Sequence, residues 1–169
     1  RVVAVNPRTL DEVFRAIQVI GDACGADAAA RRTVDGLKAR VAAVESKTAV
    51  MPADSRPRVF VEIWNDPLMT AGAGTFVDDL VKRAGGRNIV GHIDGWPQIS
   101  PETVISAHTD VVILTCFNRA EVMARHEWRK VPAIVQGRVF EVHPDLMVRP
   151  GPRLVDGLET LAGLFAGAQ

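Results

Sequence analysis

The sequence contains no tyrosine, only two cysteines and no excess of charge of either sign. Without tyrosine, this chain cannot supply a tyrosinate ligand to haem iron. Twenty basic residues balance twenty acidic ones, so no long-range field favours nucleic acid or an anionic membrane surface. The longest apolar run, Val111 to Phe117, is far too short to cross a bilayer. We therefore expect no nucleic-acid partner and no membrane span within this chain.

The motifs of common enzyme classes are also missing. The chain lacks the Gly-x-Ser-x-Gly nucleophile elbow, and neither Cys116 nor Ser100 has a comparable local signature. It has no Walker lysine motif, and Gly72 with Gly74 lacks the third glycine of a dinucleotide-binding loop. We predict that the chain is not an enzyme and has no catalytic residues. An isolated α/β enzyme or regulatory domain stays open as an alternative from another class.

Metal-binding and disulfide patterns are equally weak. The four histidines are scattered, and only His92 with Asp94 forms a local pair, so we predict no metal site and no resident cofactor. Cys24 and Cys116 show no metal spacing. The sequence leaves open whether these two cysteines form a disulfide or stay as two buried thiols.

Two helices are predicted in the first third of the chain. Val2 to Val5 has the pattern of a strand, and a capping box at Thr9 and Glu12 opens a helix that ends near Gly21. The second helix, from about Asp27 to Glu45, is longer and has a narrow apolar stripe on an otherwise charged surface. The stripe consists of Ala30, Val34, Leu37, Val41 and Val44. Such a helix indicates a strut across the surface of a domain.

Beyond a break at Met51 to Pro57, strands and helices alternate. This order predicts a three-layer, Rossmann-like α/β lobe with a mostly parallel sheet over residues 57–169. The expected strands are Arg58–Ile63, Asn88–Val90, Asp110–Thr115 and Val139–Val142. In such sheets ligands meet the loops beyond the carboxyl ends of the strands. Those loops are Trp64–Gly74, Asp94–Glu102, Cys116–Arg119 and His143–Pro152.

The second and fourth of these loops carry distinctive side chains. Trp96 offers a flat apolar face for a bulky ligand, and Ser100-Pro101-Glu102 has the pattern of a capped helix start with an acid in its first turn. An ordinary loop and cap would have the same sequence. In the fourth loop, Asp145 and Arg149 are spaced to pair, either as a plain salt bridge or as a polar contact for a ligand. Arg153 stands at a helix start, where a cation opposes the helix dipole, which is a mild functional hint.

Five segments, in their order along essentially the whole chain, resemble the substrate-binding proteins of iron-siderophore and vitamin B12 uptake transporters. These segments are Asn6–Val13 with the following helices, Ala84–Ile89, Trp96–Glu102, Asp110–Ile113 and Arg149–Leu158. The chain looks most like the cobalamin-binding members. The resemblance implies a class III periplasmic-binding-protein fold, in which one long helix joins two lobes. Residues 1–25 are then expected to end an N-terminal lobe that precedes Arg1, residues 26–50 to form the connecting helix, and residues 57–169 to form the C-terminal lobe.

The resemblance also implies roles for individual residues. Trp96 would lie on a corrin ligand, and Trp64, Asp145 and Arg149 would belong to loops around it. We expect Met69 to add an apolar contact. Glu102 is similar to one of two surface glutamates, one per lobe, that engage arginines of the membrane permease.

The expected function is therefore that of the substrate-binding component of an ABC importer for cobalamin or another corrinoid. Such a protein would be periplasmic or otherwise extracytoplasmic and peripheral to the membrane, either free or carried by a lipid anchor. A ferric-siderophore or haem binding protein of the same family is the alternative.

Overall fold

Helices and strands alternate over most of the chain in the computed structural model, which describes residues 2–116 and 118–167. The helices are α1 (Leu10–Ala23), α2 (Asp27–Thr48), α3 (Phe76–Arg83), α4 (Pro101–Ser106), α5 (Arg119–Ala124), α6 (Pro132–Val135) and α7 (Leu154–Ala166). The strands are β1 (Arg58–Glu62), β2 (Trp64–Asn65), β3 (Leu68–Met69), β4 (Arg87–Asn88), β5 (Val111–Leu114) and β6 (Val139–Glu141). The four strands predicted for the sheet are β1, β4, β5 and β6, each with ends shifted or shortened by one or two residues.

The main sheet has four parallel strands in the order β4-β1-β5-β6. The connection after β1 leads outward to β4, and the connection after β5 leads outward in the opposite direction to β6. The crevice between these diverging connections opens beyond the carboxyl ends of β1 and β5, which is where ligands meet open α/β sheets.

Alternate residues of the central strands face two separate helical layers. Val59 and Val61 of β1 pack into one core cluster with residues of α1, α2, α3 and α7. Phe60 of β1 packs into the other cluster with Val104 of α4 and Trp128. Because successive side chains of a strand point to opposite faces, a buried run of this kind requires cover on both sides. The three-layer α/β fold class is confirmed.

Helices α1 and α2 pack on the lobe as their apolar patterns predicted. The Thr9 hydroxyl accepts a hydrogen bond from the Glu12 amide at 3.2 Å, and the Glu12 carboxylate accepts one from the Arg8 amide at 2.6 Å. The five residues of the α2 stripe are all buried, and α2 continues to Thr48, three residues beyond its predicted end. The division into a connecting helix and two lobes stays a prediction.

Arg83 links three of the helices. Its guanidinium contacts Asp79 of its own helix α3 at 3.0 Å, Glu45 of α2 at 2.7 Å and Asp11 of α1 at 2.6 Å. Asp79 also accepts a hydrogen bond from the amide of Leu10, the first residue of α1, at 2.8 Å. One half-buried cation therefore fixes the positions of α1 and α2 on the lobe.

Three predictions of local structure are wrong. Val2, Val3 and Val5 are exposed and form no strand, because no neighbouring strand among the described residues offers ladder hydrogen bonds; Arg1 lies outside those residues. Cys24 is exposed after the end of α1 and Cys116 is half-buried, and both are free, so neither a disulfide nor two buried thiols describes them. The segment from Trp64 to Gly74 is not all loop, since it contains the antiparallel pair β2 and β3.

Candidate functional site

A small antiparallel ribbon extends the lobe beyond the carboxyl end of β1. Trp64 of β2 pairs with Met69 of β3, and Met69 also forms a bridge with Gln98 of the loop after β4. Because paired residues share a face, Trp64, Met69 and Gln98 lie on one side of the ribbon, and Trp96 lies in the adjoining loop two residues before Gln98. Trp64 is 54% exposed and Trp96 is 42% exposed. The structure thus pairs two predicted ligand residues, Trp64 and Met69, and joins the loop of the third, Trp96, to β3 through backbone hydrogen bonds of its neighbours Pro97 and Ile99.

Each of these tryptophans is held by a specific contact. The Trp64 indole N–H donates to the carbonyl of Asp66 at 2.8 Å. The Trp96 ring packs edge-to-face against Phe76, the first residue of α3, with ring centroids 5.7 Å apart. These contacts orient both rings before any ligand arrives, which lowers the entropy lost on binding.

The two loops that carry the tryptophans are joined by buried backbone contacts. The amide of Ala73 donates to the carbonyl of Ile93 at 2.7 Å, and the amide of Gly72 donates to the carbonyl of Gly95 at 2.7 Å. A Cβ on Gly72 would lie only 1.9 Å from the Ile93 carbonyl oxygen, so only glycine allows this approach. The relative position of the loops is therefore set by main-chain hydrogen bonds.

Asn88, the last residue of β4, joins the same loops through its side chain. Its amide group donates to the carbonyl of Ala71 at 2.8 Å and to the carboxylate of Asp78 at 2.9 Å. Its oxygen accepts from the amide of Val90 at 3.1 Å. The sequence pointed to this residue only as part of the Ala84–Ile89 segment and assigned it no role; a further available signal is that asparagine is uncommon in strands.

A cavity of about 270 Å³ adjoins Trp96 on the side of α3. The segment Asn6–Arg8 forms part of its wall, together with Phe76 and Gly95. The Arg8 side chain holds that segment in place by donating from Nε to the carbonyl of Gly74 at 3.0 Å. The residues before α1 thus contribute to the surroundings of the predicted ligand surface.

Asp145 and Arg149 lie at the other end of the carboxyl edge, in the loop after β6. Arg149 contacts Oδ1 of Asp145 at 2.7 Å, and Arg153 contacts Oδ2 at 3.1 Å. With strands about 4.8 Å apart, β6 is roughly 10 Å from β1 and roughly 14 Å from β4. The structure does not bring this pair into contact with the tryptophans; the two groups face the same edge across the width of the sheet.

Glu102 is exposed in the first turn of α4, as the capping pattern predicted. A hydrogen bond from its own backbone amide, and a second from Ser100, hold the pKa of Glu102 below its ordinary value. The buried indole of Trp128 donates to the carbonyl of Pro101 at 3.3 Å and so anchors the start of α4. The result is a fixed, ionised carboxylate on the outer surface.

A model of the periplasmic binding protein family matches residues 1–146, which include both tryptophans and Asp145. The chain belongs to the periplasmic binding protein family. The resemblance seen in the sequence is therefore confirmed.

Three relatives of this periplasmic binding protein illustrate the range of names in the family. An uncharacterized ABC transporter substrate-binding lipoprotein of Bacillus subtilis is 30% identical over 95% of this chain and 52% of its own length. A cobalamin-binding protein of Halobacterium salinarum is 32% identical over 93% of this chain and 44% of its own length. The crystal structure of a possible iron-binding, periplasmic solute-binding protein of Staphylococcus epidermidis is 26% identical, with a TM-score of 0.85 over 97% of this chain and 66% of that one. The chain spans about half the length of the curated relatives it matches.

One buried ion pair in this periplasmic binding protein had no sequence signal. Glu62 ends β1 with 0% exposure, and its carboxylate accepts from Arg125 at 2.7 Å and from Asn118 at 2.8 Å. Arg125 also lies over the ring of Trp128, 4.5 Å from its centroid. Next to this pair, burial raises the pKa of the Cys116 thiol, whose sulfur donates to the carbonyl of Ile63. A thiol with a raised pKa carries little thiolate near neutral pH, which disfavours a nucleophilic role.

Among residues 2–116 and 118–167, no three histidine, cysteine, aspartate or glutamate side chains form a group that could hold a metal ion. Within the same residues, no helix has both the length and the apolar character of a membrane span.

Proposed function

We propose that this protein is part of the substrate-binding component of an ABC importer, and that its lobe forms one wall of a site for a corrinoid such as cobalamin. The observation that carries the proposal is the pair of exposed tryptophans in adjoining segments, Trp64 opposite Met69 on the ribbon and Trp96 in the loop hydrogen-bonded to it. A rigid aromatic face of this kind is suited to a large, flat, partly apolar ligand. The lobe binds its ligand without covalent chemistry, and the protein is not an enzyme.

The width of the main sheet at the carboxyl ends of its strands also favours a large ligand. The tryptophans and the Asp145–Arg149 pair follow strands that are roughly 10 to 14 Å apart, so one ligand that touches both must extend across that width of the sheet. A corrinoid combines a wide macrocycle with a rim of amide groups, which Asp145 and Arg149 are placed to contact. A second wall facing this lobe completes the enclosure of the ligand.

Glu102 serves as the contact with the transporter. Its carboxylate is exposed, ionised and held at the start of α4, which suits it to pair with an arginine of an extracytoplasmic permease surface. Charge pairs at the rim of an interface steer encounter and set register more than they add affinity. The protein acts outside the cytoplasm, at the membrane surface.

A ferric siderophore or haem is the second candidate ligand. Similarity to the possible iron-binding protein of Staphylococcus epidermidis favours it, and a flat aromatic wall also accommodates a porphyrin. This chain supplies no tyrosine, so a tyrosinate ligand for haem iron would have to come from elsewhere in the complete protein.

Titration of the full-length product of the gene that encodes this chain separates the candidates. Cyanocobalamin, haem and a ferric hydroxamate are each added, and binding is measured by calorimetry and by quenching of tryptophan fluorescence. We expect tight binding of cyanocobalamin and a loss of about tenfold or more on Trp96→Ala, the effect of removing a central aromatic contact. The matched control is Val135→Ala, an exposed apolar residue at the end of α6.

Tight binding of haem or the hydroxamate without binding of cyanocobalamin would replace the corrinoid with the second candidate. Equal losses for Trp96→Ala and Val135→Ala would remove the tryptophan face from the site.

A further inference from the structure

The geometry points to a subsite for an anionic oxygen group, formed by Arg149 and Arg153 at the β6 end of the carboxyl edge. Its partner is a phosphodiester or a carboxylate on the ligand. The inference rests on the proposed function, because it assigns the chemistry of one further contact within the same ligand site. Arg153, which precedes the first residue of α7, is the new member of that site.

Asp145 holds both arginines while leaving most of their donors available. Arg149 engages one oxygen of the carboxylate and Arg153 engages the other, through a single nitrogen in each case. A guanidinium has five N–H donors, so each arginine keeps several for another partner. Because both carboxylate oxygens are occupied, the cluster presents donors and one net positive charge to its surroundings. A ligand group that binds there must supply acceptor oxygens.

Two further observations show that this positive charge is not neutralised nearby. The acids in the first half of α7, Asp156 and Glu159, are both engaged by Arg40 of α2, at 2.6 Å each. Arg153 occupies the N-cap position of α7 without a capping hydrogen bond, where the helix dipole adds positive potential. Its one acidic partner, Asp145, is shared with Arg149, and a cation placed against the dipole in this way indicates function.

The cluster is open to solvent and yet fixed in place. The side chains of Arg149 and Arg153 are 74% and 67% exposed, whereas that of Asp145 is 21% exposed. The loop that carries Asp145 rests directly on α7 at Gly157, where a Cβ would lie 2.0 Å from the Leu146 carbonyl oxygen. Asp145 is thus held in place against the fold, and the two guanidinium groups bound to it extend into solvent. Two guanidinium groups on one carboxylate match the several oxygens of a phosphate or carboxylate.

The test compares two corrinoids, one with and one without an anionic phosphodiester group. Cyanocobalamin carries a phosphodiester in its nucleotide loop, and dicyanocobinamide lacks that loop. We measure the affinity of the full-length protein for both, in wild type and in Arg153→Gln. We expect Arg153→Gln to weaken cyanocobalamin binding about tenfold at low salt, as loss of a charge-assisted hydrogen bond does, and to change cobinamide binding less than about twofold. High salt should shrink the difference.

Arg31→Gln is the matched control, because Arg31 is also an exposed helix arginine paired with an aspartate, Asp27, at 3.1 Å. Equal effects of Arg153→Gln on the two corrinoids, or no effect on either, would overturn the anionic subsite while the corrinoid proposal stands. If wild type binds neither corrinoid, the proposed ligand is wrong. The subsite is then tested by measuring the affinity for haem and for haem dimethyl ester, in which the carboxylates are esterified. If Arg153→Gln weakens the binding of haem selectively, the subsite is supported. Equal effects on the two ligands, or no effect on either, overturn it.

Discussion

Two carboxylates at the carboxyl edge of the sheet hold arginines in opposite environments. Glu62 is fully buried and binds Arg125, whose side chain is only 14% exposed, whereas Asp145, two strands away, binds two arginines that are mostly exposed. The chemical pair is the same in both places. Burial decides the role of the pair. Loss of one partner from a buried pair strongly destabilises the fold, because the other charge is left buried and unpaired. An exposed pair contributes little to stability and keeps hydrogen-bond donors available for a ligand.

A third pair at the opposite edge of the sheet is intermediate. Arg58 at the start of β1 donates twice to Asp110, which precedes β5, with both distances 2.8 Å. Asp110 also accepts from the backbone amide of Arg58 at 2.8 Å. The side chains of Arg58 and Asp110 are 31% and 25% exposed. The three pairs form a series in which stability should depend progressively less on the ion pair.

The largest effect is expected at the buried pair. Arg125→Met should lower the free energy of unfolding by about 3–5 kcal/mol, because it leaves the Glu62 carboxylate buried without its cation. Urea denaturation measures the change. The double variant Glu62→Leu with Arg125→Met should recover most of it, since no unpaired charge remains. A loss below about 1 kcal/mol for Arg125→Met would show that this pair behaves like an exposed one.

The second effect is expected at Asp110, and it depends on pH. Burial alone would raise the pKa of Asp110, but hydrogen bonds from the side chain and backbone of Arg58 outweigh burial and lower it. A carboxyl group with a lowered pKa in the folded state adds stability above its unfolded pKa, near 3.9, and loses it as the pH falls through the folded value.

Asp110→Asn should therefore lower the free energy of unfolding by about 1–2 kcal/mol near neutral pH, where the charge-assisted hydrogen bonds are present. The difference from wild type should shrink below about pH 4. Urea denaturation at several pH values measures it, with exposed Asp54→Asn as the control. A difference that stays constant from neutral to acid pH would contradict the ionic origin of the stabilisation.

The third effect, at the exposed pair, should be small. Arg149→Gln and Arg153→Gln should each change the free energy of unfolding by less than about 1 kcal/mol, because exposed ion pairs are screened by water and salt. The midpoint of thermal unfolding measures this change. A loss comparable to that of Arg125→Met would mean that these arginines hold the loop to α7 and are not available to a ligand.

Much of the fold could be predicted because it follows from local patterns. The five buried residues of α2 and the alternation of β1 between two cores are direct consequences of helical and strand periodicity. The strand predicted at Val2–Val5 failed because pairing depends on a neighbour, which no local pattern contains. The hairpin of β2 and β3 escaped prediction because two-residue strands are too short to show alternation.

The candidate site could be predicted only in part, for a related reason. Trp64 and Trp96 were recognisable as large side chains in sheet-end loops, and the structure places Trp64 on the ribbon and Trp96 in the loop bridged to it at Gln98. The roles of Asn88 and Glu62 were not recognisable, because they depend on partners ten or more residues away: Asp78 for Asn88 and Arg125 for Glu62. Side chains that hold a site in position carry no chemical signature of their own.

The smallest effect on stability is expected at Glu102, which completes the series as a carboxylate with no ion pair among the described residues. Glu102→Gln should leave the unfolding midpoint and ligand affinity unchanged, because the side chain is exposed and lies outside the ligand face. It should weaken binding to the ABC permease in nanodiscs, since a neutral amide cannot pair with an arginine of the permease, and the loss should diminish at high salt. Glu127→Gln, which neutralises another exposed acid, is the control. Unchanged permease binding for Glu102→Gln would leave this carboxylate as a feature of the α4 start alone, and an equal loss for Glu127→Gln would indicate a general effect of charge.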